Sequence, residues 1–283
     1  MKVRKIGVVG AGTMGNGIAQ VCAIAGLDVV MVDINDAAVQ RGRATIEKSL
    51  DRLLQKGKLT EDAKAETLAR IQGSVNYQDF AGVDLVVEAA TENVELKLRI
   101  LRQLDEILSK DVVIATNTSS ISITQLAAVV SRPERFIGMH FFNPVPMMGL
   151  LELIRGLQTA DETHALGLAF AKAVGKTAVT VRNSPGFVVN RILCPMMNEA
   201  IFVLQEGLAT AEDIDAGMRL GCNHPIGPLA LADLVGLDTL LAVMNVFYEG
   251  FKDSKYRAAP LLKEMVDAGR LGRKSGRGFY SYS

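Results

Sequence analysis

Two polar residues stand out in the segment FIGMHFFNPVPMMGLLELI, positions 136–154, because apolar residues surround them. His140 comes near the end of one apolar run, and Glu152 is the single charge in the next. An imidazole ordinarily titrates near pH 6.5, so it can exchange protons at neutral pH. A buried carboxylate is costly unless it is paired. We therefore expect a hydrogen bond from His140 to Glu152 that fixes the tautomer of the imidazole and stabilises its protonated form.

The residue types alone leave a second interpretation of this pair open. His140 could be a core histidine with satisfied hydrogen bonds, and Glu152 an unrelated residue at a strand edge. The chain has only two other histidines, and both are expected to be structural. His164 is typical of a solvated helix face, and His224 lies in a segment typical of a loop.

The segment GAGTMG fits the G-x-G-x-x-G pattern of dinucleotide-binding loops, with an apolar strand before it and a helical stretch after it. Gly10 permits a tight turn, Gly12 lets the backbone approach a pyrophosphate, and Gly15 lets helix and strand pack closely. The helix N-terminus offers unpaired N–H groups to the anion. The expected cofactor-binding loop comprises Gly10, Ala11, Gly12, Thr13, Met14 and Gly15.

Asp33 ends the next predicted strand, 18 residues after Gly15 (33 − 15 = 18). A carboxylate at this point is typical of a site that accepts hydrogen bonds from the adenosine ribose hydroxyls. The segment DIND contains no arginine that would attract a 2′-phosphate. We therefore predict NAD as the preferred cofactor, with NADP possible. The alternative is a glycine-rich turn that binds no nucleotide.

The apolar patterning predicts an α/β fold followed by an all-helical part. A Rossmann-type, mostly parallel sheet with a helical hairpin insertion at 36–72 should form a domain over 1–185, and an all-α domain should cover 186–283. The predicted strands are 5–10, 28–33, 83–90, 112–117, 135–141 and 177–181. The predicted helices are 18–26, two within 36–72, 93–108, 122–130, 188–207, 211–221, 229–250 and 259–269. The active site is expected at the junction of the two domains.

Composition excludes several classes of protein. Lys plus Arg and Asp plus Glu each number 31, so nothing favours nucleic acid or an acidic membrane surface as a partner. The three cysteines are scattered and lack metal-site spacing, which favours a reduced compartment and no metal site. No apolar run reaches the roughly 18 residues of a membrane helix. We expect a soluble, cytoplasmic protein.

Six segments in this order resemble the 3-hydroxyacyl-CoA dehydrogenase family, and most closely its short bacterial 3-hydroxybutyryl-CoA members. They are GAGTMGNGIAQ, TENVELK, NTSSISI, HFFNPVPMMGLLELI, NSPGFVVNR and GCNHPIGPLALADLVGLD, and they span essentially the whole chain. The H-F-F-N-P block with its downstream glutamate is more specific than the glycine loop. The resemblance implies an oxidoreductase of fatty acid or butanoate metabolism that converts (S)-3-hydroxybutanoyl-CoA and acetoacetyl-CoA reversibly.

The resemblance also implies roles for individual residues. His140 matches the family's catalytic base and Glu152 its partner. Ser119 and Asn190 match residues that hydrogen-bond the substrate, although Ser119 could otherwise be the N-cap of the helix near Ser122. Four positions resemble those around the nicotinamide half of the cofactor: Glu92, Lys97, Asn143 and Lys274.

Coenzyme A is strongly anionic, and the segment EKSLDRLLQKGK supplies several cations. Ser49 and Lys56 lie seven residues apart, which places them on one face of a helix. The family binds CoA with a helical hairpin here, and these two residues match its contacts. Without the resemblance, an exposed helix with solvated charges is the simpler interpretation.

Two rival functions stay open. A dehydrogenase of a free hydroxy acid would use Asp33 and His140 but not Ser49 and Lys56, and a non-catalytic relative would bind nucleotide only.

The apolar segment LALADLVGLDTLLAVMNVF favours a homodimer, since one small helical domain does not easily cover it.

Overall fold

The structure of the protein is a computed structural model, in which residues 3–282 are described. The chain divides after Asn183 into two compact units. This division lies two residues before the boundary expected from the sequence, in the same Asn-Ser-Pro-Gly segment. Each unit has its own core and is described separately.

The first unit is built on one eight-stranded sheet in the order β3-β2-β1-β4-β5-β6-β7-β8. Strands β1 to β6 are parallel, β7 is antiparallel to β6, and β8 is parallel to β7. The strands are β1 Lys5–Val9, β2 Asp28–Val32, β3 Ile71–Ser74, β4 Leu85–Glu88, β5 Val113–Thr116, β6 Phe136–Phe141, β7 Leu150–Arg155 and β8 Thr177–Arg182. The expected α/β fold with a mostly parallel sheet is confirmed.

Six helices and two short 3-10 helices connect these strands. The helices are α1 Thr13–Ile24, α2 Asp36–Gln55, α3 Glu61–Ala69, α4 Val94–Ile107, α5 Ile123–Ala127 and α6 Asp161–Ala173, and the 3-10 helices are Tyr77–Phe80 and Pro133–Arg135. Because the inner strands are covered on both faces, most of their residues are apolar. Ile6 and Val8 pack into the core that includes α1, whereas Gly7 between them faces Phe80.

Two sequence predictions for this unit are wrong in detail. Helix α1 begins at Thr13 and not at 18, because the glycine loop itself forms the first turn, where glycines weaken the helical signal. The helical segment predicted for 36–72 ends at Ala69, and Ile71–Ser74 is the edge strand β3. Only Ile71 of this strand is fully buried, so its apolar pattern is too weak to recognise.

The turn between β6 and β7 folds the chain back on itself. The two strands are antiparallel, and their register pairs His140 directly with Glu152. Lys176 holds the turn, because its ammonium donates hydrogen bonds to the carbonyls of Val145 at 2.6 Å and Met148 at 2.7 Å. Burial lowers the pKa of Lys176. The twelve-residue spacing in sequence thus becomes a direct cross-strand contact.

The second unit is helical over its described residues, 184–282, as expected, apart from isolated bridges that pair Arg277 with Gly272 and Ser281. The helices are α7 Val189–Gln205, α8 Ala211–Gly221, α9 Pro228–Val235, α10 Leu237–Phe251 and α11 Pro260–Asp267, with 3-10 helices Ser254–Tyr256 and Arg273–Ser275. One helix was expected over 229–250, but Gly236 separates α9 from α10 with φ +101°, a conformation that interrupts a helix. The core of this unit includes Met197, Leu240 and Phe247.

No single helix among residues 3–282 has the length and apolar character needed to cross a membrane. Helices α9 and α10 reach that composition only as a pair, and their axes are bent by 97°. Within the same residues, no group of three or more His, Cys, Asp and Glu side chains could hold a metal ion.

Candidate active site

The histidine and glutamate predicted to act together are in contact. Nδ1 of His140 lies 2.7 Å from Oε2 of Glu152. Glu152 is fully buried in β7, and His140 is 6% exposed near the end of β6. The hydrogen bond expected from the sequence is therefore present. Its catalytic role stays a prediction.

Neighbouring side chains hold this histidine in place. The ring of Phe142 lies 4.4 Å from the ring of His140, measured between centroids. One residue earlier, the backbone N–H of Phe141 donates a hydrogen bond to the side-chain oxygen of Asn117 at 2.9 Å. Asn117 directly follows β5, so it ties the end of β6 to the neighbouring parallel strand. The imidazole is thus set at the carboxyl ends of the parallel strands, where α/β sheets bind ligands.

Ser119 and Glu92, predicted for substrate and cofactor respectively, are hydrogen-bonded to each other. The Ser119 backbone N–H donates to Oε1 of Glu92 at 2.9 Å, and its hydroxyl lies 3.3 Å from the same oxygen. Oε2 of Glu92 accepts from the Thr118 hydroxyl at 2.7 Å. The N-cap of α5 is Ser122, whose hydroxyl accepts from the N–H of Gln125, so the interpretation of Ser119 as that N-cap is wrong.

A buried ion pair joins strand β4 to helix α4. The Lys97 ammonium contacts Oε2 of Glu88, and both side chains are fully buried. Thr116 donates its hydroxyl to the same oxygen at 2.8 Å, and Oε1 accepts from the backbone N–H of Ala90 at 2.9 Å. Lys97 is therefore not the solvated helix charge that its sequence context alone suggests. Its predicted role at the cofactor is untested.

The glycine loop has the features that a bound pyrophosphate requires. Gly10 has φ +99°, and a Cβ at Gly15 would lie 1.8 Å from the Gly10 carbonyl oxygen, so both positions need glycine. A Cβ at Gly12 would meet nothing within 4 Å, which leaves open space beside the loop. Helix α1 begins at Thr13 without a side-chain cap or an acidic residue in its first turn. Its N-terminus can therefore receive an anion.

Asp33 is fixed at the edge of this open space. One carboxylate oxygen accepts from the Ala11 N–H at 2.6 Å, and the other accepts from the Ile34 N–H at 2.7 Å. These bonds hold the carboxylate beside the glycine loop, where it can accept hydrogen bonds from a ribose. Burial raises the pKa of the nearby Tyr77 phenol, and the carboxylates of Glu88 and Asp33 add to this effect.

The residues predicted for CoA lie at the C-terminal end of α2. Ser49 is half-buried within the helix, whereas the exposed Lys56 follows its last residue and forms its C-cap. An ion pair of 2.5 Å between Asp51 and Lys64 joins α2 to α3 and stabilises the hairpin. Asn143, predicted near the nicotinamide, is exposed in the turn after β6. The roles of these residues stay predictions.

Two predicted site residues belong to the second unit. Asn190 is half-buried in the first turn of α7. The Lys274 ammonium forms an ion pair with Asp238 at 2.6 Å. It therefore has a structural partner, which the prediction of a cofactor contact did not include. His224 lies in a loop, as expected, and His164 lies on α6 with Nε2 2.8 Å from the Thr180 hydroxyl.

Several residues of the site were not recognised from the sequence. Phe142 lies in the H-F-F-N-P segment with His140, and Asn117 lies in the N-T-S-S segment with Ser119. Their closeness in sequence to these predicted residues could have identified them. Glu88 ends a buried strand, and a lone carboxylate at such a position indicates a buried cationic partner. Arg41, which lines the same cleft as Asp33, gave no signal, because it lies in an ordinary charged stretch of α2.

Both units match models of one protein family. Residues 5–184 match the 3-hydroxyacyl-CoA dehydrogenase NAD binding domain, and residues 186–282 match the 3-hydroxyacyl-CoA dehydrogenase C-terminal domain.

Similar proteins have been described in several bacteria. A probable 3-hydroxybutyryl-CoA dehydrogenase of Deinococcus radiodurans is 55% identical, over 98% of this chain and 100% of the relative. A 3-hydroxybutyryl-CoA dehydrogenase of Bradyrhizobium diazoefficiens is 51% identical, over 99% and 96%. The crystal structure of an (S)-3-hydroxybutyryl-CoA dehydrogenase from Ralstonia eutropha superposes with a TM-score of 0.98, at 67% identity over all of both chains.

Proposed function

This chain belongs to the 3-hydroxyacyl-CoA dehydrogenase family, and from this premise we propose that it converts (S)-3-hydroxybutanoyl-CoA and acetoacetyl-CoA reversibly. It is an oxidoreductase with an NAD-binding Rossmann domain. The substrate is proposed from the names of relatives that match over nearly the whole chain at 51–67% identity.

The hydrogen bond between His140 and Glu152 carries the proposed mechanism. If Nδ1 donates its proton to Glu152, Nε2 of His140 is the atom that takes the hydroxyl proton from the substrate. The buried carboxylate stabilises the imidazolium that forms, because the two opposite charges are close in a medium of low dielectric constant. In the reverse direction, His140 returns the proton to the C3 oxygen. A hydrolase triad likewise has a histidine base that is oriented by a carboxylate, but it also contains a nucleophile, which this site lacks in the proposed mechanism.

The cofactor is proposed to bind across the carboxyl ends of the parallel strands. When bound, NAD would accept the hydride that leaves C3 of the substrate. Gly12 and the N-terminus of α1 would hold the pyrophosphate, and Asp33 would accept hydrogen bonds from the ribose. Because a 2′-phosphate would be repelled by the Asp33 carboxylate, we propose NAD as the preferred cofactor over NADP. Glu92, Asn143 and Lys274 are proposed to contact the nicotinamide half, and the fully buried Lys97 is proposed to act there only through its ion pair with Glu88.

The acyl-CoA substrate needs groups for two chemically different ends. Ser119 and Asn190 are proposed to hydrogen-bond the oxygens of the acyl group. The Ser119 hydroxyl would exchange its contact with Glu92 for one with the substrate. At the other end, Ser49 and Lys56 are proposed to bind the anionic part of coenzyme A. These assignments make the α2–α3 hairpin part of substrate recognition.

A spectrophotometric assay tests the proposal. NADH absorbance should fall when acetoacetyl-CoA is added, and far less when acetoacetate replaces it at the same concentration. A Lys56→Ala variant should raise the KM for acetoacetyl-CoA with little change in kcat, because Lys56 is proposed to contact the CoA part of the substrate and not the reacting carbon. Equal rates with acetoacetate would instead support a dehydrogenase of free hydroxy acids. No oxidation of NADH with any acyl-CoA, despite NADH binding, would support a non-catalytic relative.

We also propose that two copies of the chain associate. Part of the apolar segment that suggested a homodimer is buried within the second unit, including Leu229, Leu237 and Phe247. Leu234 on α9 and Tyr248 on α10 remain 53% and 43% exposed. Leu234 and its neighbour Val235, which is 40% exposed, belong to this segment and Tyr248 directly follows it, and we propose that a second copy covers them.

A further inference from the structure

A cleft of about 380 Å³ opens beside the glycine loop and carries two opposite charges on its walls. Asp33 is the anion, and Arg41 on α2 is the cation. The other lining residues are uncharged: Ala11, Gly12, Thr13, Asn16, Ile34, Ala38, Gly42 and Thr45. The sequence offered no arginine next to Asp33, but the fold brings one to the same cleft from eight residues further along (41 − 33 = 8).

The position of Arg41 follows from how α2 packs. A Cβ at Gly42 would lie 2.7 Å from the carbonyl oxygen and 2.8 Å from the Cβ of Ala11, so the helix backbone lies directly against the glycine loop. Ala38, Arg41, Gly42 and Thr45 are spaced three and four residues apart, which places them on one face of α2. This face forms a wall of the cleft.

Arg41 is available for a ligand. Its side chain is exposed, and no carboxylate of residues 3–282 lies within ion-pair distance of it. Its neighbour Arg43 is committed to the fold, because its guanidinium donates to the Ile71 carbonyl. Of the two arginines in this turn of α2, only Arg41 lines the cleft.

The Asp33 carboxylate, unlike the Arg41 guanidinium, is held in place by hydrogen bonds. Both of its oxygens accept backbone N–H groups, so the carboxylate cannot turn away from the cleft without losing hydrogen bonds. A 2′-phosphate entering the cleft would therefore meet a fixed anion. The same phosphate would find a guanidinium, the group that best matches phosphate geometry, on the α2 wall.

We infer that Arg41 is a second determinant of cofactor choice, a latent binding group for a 2′-phosphate that the Asp33 carboxylate keeps from being used. The inference rests on the NAD site of the proposed function. Its consequence is that removing one negative charge at position 33 is enough to admit NADP, with no cation added.

The experiment measures nucleotide binding by calorimetry without acyl-CoA, using 5′-AMP and adenosine 2′,5′-bisphosphate as probes, together with NADH and NADPH. The Asp33→Ser variant should bind the bisphosphate and NADPH about 10- to 100-fold more tightly than the wild type does, the range expected for a hydrogen bond to a charged group. Adding Arg41→Gln should remove this gain. Adding Arg102→Gln instead, an exposed arginine on α4, should leave the gain intact.

The outcomes separate this inference from the proposed function. A gain in Asp33→Ser that survives Arg41→Gln overturns the inference, as does no gain in a folded variant that still binds 5′-AMP. Asp33→Asn, which keeps the size of the side chain, serves as a second variant if Asp33→Ser does not fold. Wild-type protein that binds neither 5′-AMP nor NADH overturns the proposed cofactor site itself. Binding of NADH without turnover of acetoacetyl-CoA contradicts only the proposed reaction.

Discussion

At the scale of single residues, the site depends on buried charges that have partners. Glu152 and Glu88 are both fully buried, and each has a different cationic or protonatable partner. The partner of Glu152 is His140, whose imidazole ring is proposed to accept and return the substrate proton. The partner of Glu88 is Lys97, whose ammonium group compensates the charge of the buried carboxylate. One carboxylate is thus proposed for chemistry and the other for structure.

Replacing either member of the His140–Glu152 pair should remove most activity. His140→Gln and Glu152→Gln should each lower kcat by about 10²- to 10⁴-fold, the usual contribution of general acid–base catalysis. The affinity for NADH should change little, because neither residue belongs to the glycine loop. Steady-state kinetics and calorimetry measure the two quantities. His164→Gln on α6 is the matched control and should keep wild-type turnover, whereas near-normal kcat in either dyad variant would contradict the assignment.

Breaking the buried pair at Lys97 should mainly affect stability. Lys97→Met leaves the Glu88 carboxylate buried without its cation, which should cost about 3–5 kcal/mol in the free energy of unfolding. Adding Glu88→Gln should recover a large part of this loss, since no charge then stays buried. Urea unfolding followed by circular dichroism measures both. Arg70→Met, which breaks an exposed pair with Asp28 in the same unit, should shift the unfolding midpoint far less. Equal shifts for Lys97→Met and Arg70→Met would show that the buried pair has no special weight.

At the scale of elements, the carboxyl ends of parallel strands gather the candidate site residues. Gly10 follows β1, Asp33 follows β2, and Asn117 follows β5, while His140 lies at the end of β6. Parallel strands end at the same edge of the sheet, so these residues share one side of the molecule's first unit. The antiparallel β7 adds Glu152 from the opposite direction, which a parallel strand in that position could not do in so short a connection.

Two glycines of the loop should respond differently to alanine. Gly15→Ala places a Cβ 1.8 Å from the Gly10 carbonyl oxygen, so it should destabilise the protein by overpacking, typically about 1–3 kcal/mol. Gly12→Ala meets no protein atom within 4 Å, so it should leave the melting temperature nearly unchanged. Its methyl group would instead enter the space proposed for the pyrophosphate, and the affinity for NADH should fall by about tenfold or more. Thermal unfolding and calorimetry separate the two effects. Normal NADH binding by Gly12→Ala would argue against a pyrophosphate at this loop.

At the scale of the whole molecule, the chain consists of two units with different physical characters. The first is a sheet covered by helices, with the candidate site residues at the edge where the parallel strands end. The second is a small helical unit whose core includes Leu240, Met244 and Phe247. Some apolar side chains of α9 and α10 nevertheless stay exposed, which is unfavourable unless another surface covers them.

Sedimentation velocity at micromolar concentration should therefore show a species of about twice 30.4 kDa, the mass of one chain. Leu234→Glu combined with Tyr248→Glu should shift the population towards the monomer, because charges would replace the apolar surface that association covers. Leu220→Glu on α8, where the side chain is 84% exposed, serves as the control. A monomer for the unsubstituted chain would contradict the proposed homodimer.

The sequence by itself determined the fold class and the identities of the proposed catalytic pair. Continuous apolar runs predict buried parallel strands, and the glycine loop with Asp33 predicts a nucleotide site, because both depend on local residue order. His140 and Glu152 were recognisable because each is a single polar residue in or beside an apolar run, and such a residue needs a partner when it is buried. The weakly apolar β3 and the break at Gly236 escaped recognition, since neither leaves a strong local pattern.

Only the tertiary structure decided which residues from distant segments meet. The contact of Lys97 with Glu88, the hydrogen bonds of Ser119 to Glu92 and the approach of Arg41 to the cleft of Asp33 all depend on how separate elements pack. Side-chain types and spacing do not encode these distances, because a charge on a helix has the same sequence pattern whether it faces solvent or the core. Lys97 and Arg41 illustrate both outcomes: packing buried the first and left the second exposed beside a cleft.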